Sequence, residues 1–173
     1  MRTRTYSDGL AFSAGRSSKL PGSLKNIYDE IDDELMLVSS RTADLSHWAD
    51  EGVQLLNSAL TIGATKLKAN DSGARSHNES HLNWGWRKWT DEVIARLSDR
   101  RRNLVFILLG NYSIAKKSLV NHERGYLILE AVHPSPLSAS RGFLHSGIFA
   151  ACNDFLLKCG TGASIGAIVA YFD

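Results

Sequence analysis

Three short stretches of this chain carry side chains that could do chemistry. The longest is Val132-His133-Pro134-Ser135-Pro136-Leu137-Ser138-Ala139-Ser140-Arg141-Gly142. Its two prolines fix φ, remove two backbone donors and stiffen the loop. One imidazole, several hydroxyls, a guanidinium and one leucine are thereby held in place. A neutral imidazole can donate to a developing oxyanion without first becoming charged. The second stretch, Gly52 to Thr61, sets Asn57 after a short apolar run. A buried amide needs partners, so Asn57 either bonds nearby backbone or offers a donor and an acceptor side by side to a ligand. The third is Gly9-Leu10-Ala11-Phe12-Ser13, where Phe12 taken alone reads as a core ring. His77 and His81 are spaced like a helical metal pair, but they fall in a Gly/Asn/Ser-rich run without a cysteine or carboxylate pattern, so no metal is expected.

The elements that must position these groups follow from periodicity. Ser23 is expected to cap a helix over Leu24–Ile31, with Leu24, Ile27, Tyr28 and Ile31 on one face. Asp44 caps a short helix through Trp48 and Ala49 that Gly52 ends, and Val53–Leu56 is a buried strand leading to Asn57. Residues 63–83 are polar and read as a long loop. Trp84–Ser98 predicts a helix with Trp86, Trp89, Val93, Ile94 and Leu97 toward the core. The cationic run Arg100-Arg101-Arg102 suits that helix's C-terminal dipole. Leu104–Leu109, the most apolar run, reads as a central parallel strand, followed by a short helix around Ile114–Val120 and a strand over Tyr126–Val132. Ser146 is expected to cap a last helix through Lys158, with Phe149, Cys152, Phe155 and Leu156 on its apolar face and Gly160 as its stop. Alternating helices and strands predict one α/β domain over residues 1–173, a three-layer α/β/α sandwich with a short parallel sheet. Ligands of such sheets bind at the carboxyl ends of the strands, where Asn57, Gly110 and His133 all fall.

A chain of 173 residues can bury one good core. Its net charge of +2 says little about partners, because local clustering decides nucleic-acid binding. Cys152 and Cys159 lie seven residues apart on one predicted helix, roughly 10 Å, too far for a disulfide. They are expected as thiols of a reducing compartment. No apolar run is long enough to span a membrane, and the front of the chain lacks the apolar core of a signal peptide. No phosphate-cradling Gly-Lys-Ser/Thr loop or Gly-x-Ser-x-Gly elbow is present, which argues against nucleotide-binding and serine-hydrolase classes.

His-Pro-Ser-Pro-Leu-Ser followed by Arg-Gly resembles the leucine loop of the family-1 uracil-DNA glycosylases. The Phe12 stretch is similar to that family's Gly-Leu-x-Phe-Ser, and Gly52 to Thr61 to its Gly-Val-x-Leu-Leu-Asn-x-x-Leu-Thr. Ser76-His77, Gly85-Trp86 and Thr90-Asp91 look like its Ser-His, Gly-Trp and Thr-Asp segment, with a supporting role for the loop. The resemblance covers about Gly9 to Gly160. It implies a monofunctional DNA glycosylase of base excision repair, without metal or redox cofactor, acting as a monomer on uracil-containing DNA. Phe12 would stack on the extruded uracil, and Asn57 would pair with its Watson–Crick edge and reject cytosine. His133 would stabilise the departing base, and Leu137 would fill the hole that base leaves. Ser23, Gly110, Ser135, Ser138 and Arg141 would lie against the DNA backbone. Asn111 stands where the family usually has serine. Lys116 and Lys117 add positive field or are simply solvated. The expected location is intracellular: cytoplasmic in a bacterium or virus, nuclear or mitochondrial in a eukaryote.

The sequence departs from the family at both ends. Gly-Gln-Asp-Pro-Tyr-His, the motif that supplies the family's water-positioning aspartate, should precede Gly9 by about eight residues and is absent. Thr161 to Asp173 is unlike the family's usual ending. Either the full protein is longer or this is a shortened relative. The strand that carries the motif is expected to be missing, leaving an open sheet edge, low stability and slow turnover. The alternative function is a non-catalytic DNA-binding relative, a scaffold or damage sensor.

Overall fold

The computed structural model describes residues 9–15, 19–63, 79–160 and 168–172. In chain order its elements are α1 (Gly22–Leu35), α2 (Ser46–Asp50), β1 (Gln54–Asn57), β2 (Ile62–Gly63), β3 (Glu79–Ser80), α3 (Trp86–Arg100), β4 (Val105–Leu109), α4 (Asn111–Ile114), β5 (Leu127–Ala131), α5 (Ile148–Lys158) and β6 (Ile168–Phe172). Single 3-10 turns lie between several of them. No helix among the described residues is long and apolar enough to cross a membrane.

The main sheet is parallel throughout, in the order β1-β6-β4-β5. Every residue of β4 is buried, as its unbroken apolar sequence requires of a strand covered on both faces. Side-chain alternation then sorts the layers. On one face Tyr171 of β6 sits beside Thr90 of α3, their hydroxyls 3.3 Å apart. On the other, Leu55, Ile107 and Ala170 look toward α1 and α5. This is the expected α/β/α sandwich.

The gap expected from the missing strand is filled, and among the described residues β1 and β5 form the edges of the sheet. The tail runs parallel between β1 and β4 as β6, with Val169 paired to Gln54 on one side and Phe106 on the other. Ile168–Phe172, in the tail that is unlike the family's usual ending, therefore lies at the centre of the sheet. Part of the expected apolar exposure remains, at Met36, Val38 and Trp84.

Other boundaries move for local reasons. Ser23 does not cap α1: the helix begins at Gly22, with Pro21 at the cap position and no side-chain cap. Asp44 accepts hydrogen bonds from the Ser46 amide and hydroxyl, so it closes the start of α2 although Leu45 holds the cap position. Residues 63–83 are not wholly loop, because β2 and β3 pair antiparallel. Trp89 is half exposed, and the buried residues of α3 are Thr90, Ile94 and Ser98. The helix expected around Ile114–Val120 begins earlier as α4 and tightens into a 3-10 turn over Ala115–Leu119. Cys152 and Cys159 are free thiols.

Ser146 does not cap α5 either. Glu34 of α1 does that work, and Glu30 of the same helix holds the turn before it. Glu30, buried, accepts from the His145 amide at 2.7 Å, from the Ser146 amide at 2.7 Å and from the Ser146 hydroxyl at 3.1 Å. One turn on, Glu34 Oε2 accepts from the amides of Phe149 at 2.6 Å and Ala150 at 2.8 Å. The first amides of a helix have no partner within it, and negative charge is favoured there. Glu34 Oε1 is buried without a hydrogen-bond partner of its own. A proton on Glu34 would let it donate to Glu30, in keeping with the opposite shifts of the two carboxyls. Burial pushes Glu34 up to about 7, with the Glu30 hydrogen bond adding to it. Burial also pushes Glu30 up, but the hydrogen bonds from Glu34, His145 and Ser146 outweigh it and hold Glu30 below its usual range.

Two outcomes follow. Val169→Asp places an unpaired charge inside the sheet and is expected to cost about 3 kcal/mol or more. An unchanged urea midpoint would remove β6 from the core. Glu34 holds its proton longer folded than unfolded, so its stabilisation is full below its ordinary value of 4.5 and is lost as pH rises toward about 7. Glu34→Gln should flatten the fall in stability between those limits, which urea melts at pH 5 and pH 7.5 would compare.

Candidate functional site

The carboxyl rim of the sheet is level across its strands. Asn57 and Leu109 both stand opposite Phe172, and Leu109 stands opposite Ala131. With neighbouring strands about 4.8 Å apart, the Asn57 backbone lies roughly 10 Å from Leu109. Gly110 directly follows β4, and His133 lies two residues past the end of β5. Gly110 has φ 94°, a conformation L side chains rarely adopt, and its amide donates to Ala131 O at 2.9 Å. A Cβ placed on it would lie 3.5 Å from the His133 Cβ, so the glycine turn and the imidazole are direct neighbours.

His133 has a defined tautomer. The Ser135 amide donates to Nδ1 at 3.1 Å. A neutral ring accepting at Nδ1 carries its proton on Nε2, leaving that N–H as the donor. The ring meets Phe12 at a centroid distance of 5.7 Å and a tilt of 52°. Phe12 sits in a turn with φ 62°, which the Ala11 amide ties to Leu55 O of β1 at 3.4 Å. Asn57 is half-buried and shares a face with Leu55 by strand alternation.

The loop after His133 is braced from within. Ser138 Oγ donates to His133 O at 2.6 Å, and the Ser135 and Ser138 hydroxyls are 2.7 Å apart. Arg141 donates to Leu137 O at 2.9 Å. Leu137, 87% exposed, is left projecting from a rigid base. The loop is also held from α1: Asn26 Nδ2 donates to Pro134 O at 2.8 Å. A Cβ on Gly22 would come within 2.7 Å of Pro136 Cγ, so the stretch carrying Ser23 lies directly against the loop.

An open cavity of about 340 Å³ is lined by Gly110, Asn111, Val132, His133, Ser138 and Arg141. Four of the sequence-predicted site residues thus share one surface. Phe12 adjoins it through His133, whereas Asn57 does not line it. Lys116 and Lys117 are paired, with Asp91 at 2.7 Å and Glu130 at 2.8 Å, which tempers their field.

Sequence reasoning missed the braces. Asn26 and Gly22 sit in a helix start whose sequence signals are the Ser23 cap and backbone contact, not a brace for the histidine loop. Thr61 was read only as part of the Asn57 stretch, yet its hydroxyl accepts from Trp86 Nε1 at 2.7 Å and lies 2.9 Å from His81 Nδ1, joining the end of the β1 loop to α3. His81 in turn stacks on Trp84 at 3.8 Å. Ser76 and His77, taken as the supporting pair, lie outside the described residues.

A parallel α/β/α sheet with a glycine turn and a braced histidine loop at its carboxyl rim defines a class of domain that handles its ligand at strand ends. Comparison narrows the class. The family model of the Uracil DNA glycosylase superfamily matches residues 2–157, and the chain belongs to that superfamily. It is 45% identical over 152 residues to a uracil-DNA glycosylase of Campylobacter lari, covering 88% of this chain and 61% of that protein. A uracil-DNA glycosylase of Azobacteroides pseudotrichonymphae is 40% identical over 153 residues, with 88% and 64% covered. The chain therefore spans a little over three fifths of the length of these relatives. The crystal structure of mimivirus uracil-DNA glycosylase shares the fold, at TM-score 0.76 and 22% identity over 94% of this chain and 60% of that one.

The contact between Gly22 and Pro136 gives a direct test of the bracing. Gly22→Val should push the loop off α1 and cost about 1–3 kcal/mol. Faster proteolysis within residues 133–142 is the expected signature, and wild-type resistance would show the contact to be dispensable.

Proposed function

We propose that this chain is the base-recognising and DNA-contacting portion of a uracil-DNA glycosylase of base excision repair. Such an enzyme hydrolyses the N-glycosidic bond between uracil and deoxyribose once the nucleotide has been turned out of the stack, and this chain, without the aspartate motif that positions the water, does so slowly. The observation that carries this reading is the rim pair: an imidazole fixed with its Nε2–H as donor, beside the Phe12 ring at 5.7 Å. Breaking the bond leaves negative charge on the departing base, and a preset neutral donor stabilises that charge without reorganising. Phe12 stacks on the base, and Asn57 matches uracil's adjacent acceptor and donor with its single amide.

Leu137 is the wedge that occupies the vacated stack. Ser23, Gly110, Ser135, Ser138 and Arg141 contact the phosphate backbone and set register rather than sequence. Support comes from the cavity shared by Gly110, His133, Ser138 and Arg141, and from relatives named as uracil-DNA glycosylases. We place the chain, as a monomer, in an intracellular setting, and its two free thiols suit a reducing one.

The test uses a labelled single-stranded oligonucleotide with one uracil, with alkaline cleavage reporting base loss and anisotropy reporting binding. The chain should release uracil, and His133→Ala should slow release about 10²–10³-fold while binding changes little. Binding of uracil-containing DNA without any base release would favour the non-catalytic DNA-binding reading. Absence of both would overturn the assignment.

A further inference from the structure

α3 starts at the carboxyl rim of the sheet and runs back along it. Early in the helix Thr90 donates to Ser58 O at 3.2 Å, next to Asn57, and near its other end Ser98 accepts from the Asn121 amide, ahead of β5. The residues just before α3 therefore form part of the rim, and they present an aromatic step there. His81 and Trp84 are stacked, their centroids 3.8 Å apart and their planes 4° from parallel. His81 covers one face of the indole, yet Trp84 remains 78% exposed. An indole has more apolar area to gain from burial than most side chains, and here hydrogen bonds hold it out. The His81 amide donates to Thr61 O at 3.3 Å, its Nδ1 lies 2.9 Å from Thr61 Oγ1, and the Trp84 amide donates to His81 O at 2.8 Å. Trp86 Nε1 donates to the same threonine hydroxyl at 2.7 Å. The step is set before any ligand arrives, which lowers the cost of ordering it on binding.

We propose that Trp84, backed by His81, is a stacking platform for an unpaired base of the DNA strand, a few nucleotides away from the extruded uracil. The inference rests on the uracil-DNA glycosylase reading and extends the surface which that reading uses. Place supports it. Four residues of chain span at most about 14 Å, so Thr61, which anchors the step, lies within that reach of Asn57. Charge supports it too. Arg87 and Lys88, in the first turn of α3, are exposed, and neither is in an ion pair among the described residues. The acids that follow are already matched, Asp91 by Lys116 at 2.7 Å and Glu92 by Arg96 at 2.6 Å. A ring face beside unmatched cations fits a base and its phosphate, whereas an apolar protein surface would leave both cations uncompensated. Stacking accepts every base, so the platform adds affinity and holds the strand without reading its sequence.

The test measures, by anisotropy, binding of labelled single-stranded oligonucleotides with one uracil. A single base-less spacer is moved along the strand, beyond the immediate neighbours of the uracil. For the unmodified chain, a spacer at one position on one side should weaken binding about tenfold. Trp84→Ala should weaken binding of the spacer-free strand by the same factor and abolish the response to that spacer, as two changes to one contact must. It should melt like the unmodified chain, because the side chain is exposed. Trp84→Phe keeps a ring and should restore part of the response. Leu157→Ala, at an exposed leucine of α5, should bind every strand like the unmodified chain. A strand on which no spacer position matters overturns the platform, and so does a spacer response that survives in Trp84→Ala. Equal weakening by Trp84→Ala on all strands also overturns it and assigns the ring to the fold of the rim. A chain that binds none of the strands overturns the functional reading, and this inference falls with it. Binding that ignores Trp84 sinks the platform alone.

Discussion

β1 and β4 do not pair with each other. Each is hydrogen-bonded to β6, which lies between them. This insertion sets the geometry of the rim. β1 carries Asn57, and the Phe12 turn hangs from it through Leu55. The pair β4 and β5 carries Gly110 and, just past its end, His133. The two halves are fixed relative to each other by the backbone ladder of five residues at the far end of the sequence. A one-residue slip of β6 would send Tyr171 toward α1 and α5 and Ala170 toward α3, reversing both contacts. The hydroxyl contact between Tyr171 and Thr90 pins one register, since Thr90 also bonds Ser58 O beside Asn57.

Within the rim, rigidity is distributed unevenly. The Pro134–Arg141 loop has serine and arginine groups spent on its own carbonyls, and it touches α1 at Asn26 and Gly22. Such bonds contribute only about 1 kcal/mol each. Their larger effect is on what remains unsettled. Nδ1 of His133 is taken by the Ser135 amide, so a neutral ring carries its proton on Nε2. Leu137 gains nothing by folding inward, because the backbone on both sides of it is already bonded. An exposed leucine on a mobile loop would collapse onto the nearest apolar surface. On this base it stays out, and it can enter a partner without first being ordered.

The site was more legible in the sequence than the frame that holds it. Phe12, Asn57, Gly110 and the His133 loop each carry their signal in the few residues around them, so the strand-end rim could be placed from the order of elements alone. β6 could not. Ile168 to Phe172 is a short apolar run, which periodicity does not assign to helix or strand, and its pairing partners are 60 to 115 residues away. Sequence adjacency favours neighbouring strands, and here it misleads. The carboxylates at the start of α5 were hidden for a related reason. Glu30 and Glu34 look like ordinary exposed acids of an amphipathic helix, and only the approach of residues 145–150 makes them partners. The same applies to Trp89, whose place in the helical stripe suits a core that α3 does not bring to it.

The two faces of the sheet show why an incomplete match to longer relatives still yields an ordered rim. The α3 face is closed: Tyr171, Phe106 and Leu108 are fully buried there, and Thr90 satisfies the polar atoms that reach it. The other face is only partly filled, with α5 anchored by Glu30 and Glu34 and a hollow left beside them. Residues that define the rim draw on both faces, but their fixed points are backbone bonds: Gly110 to Ala131, Ala11 to Leu55, Ser135 to the imidazole. Those bonds do not require the hollow to be filled. Packing on the partly filled face reaches the histidine loop through α1, which bonds Pro134 at Asn26 and abuts Pro136 at Gly22.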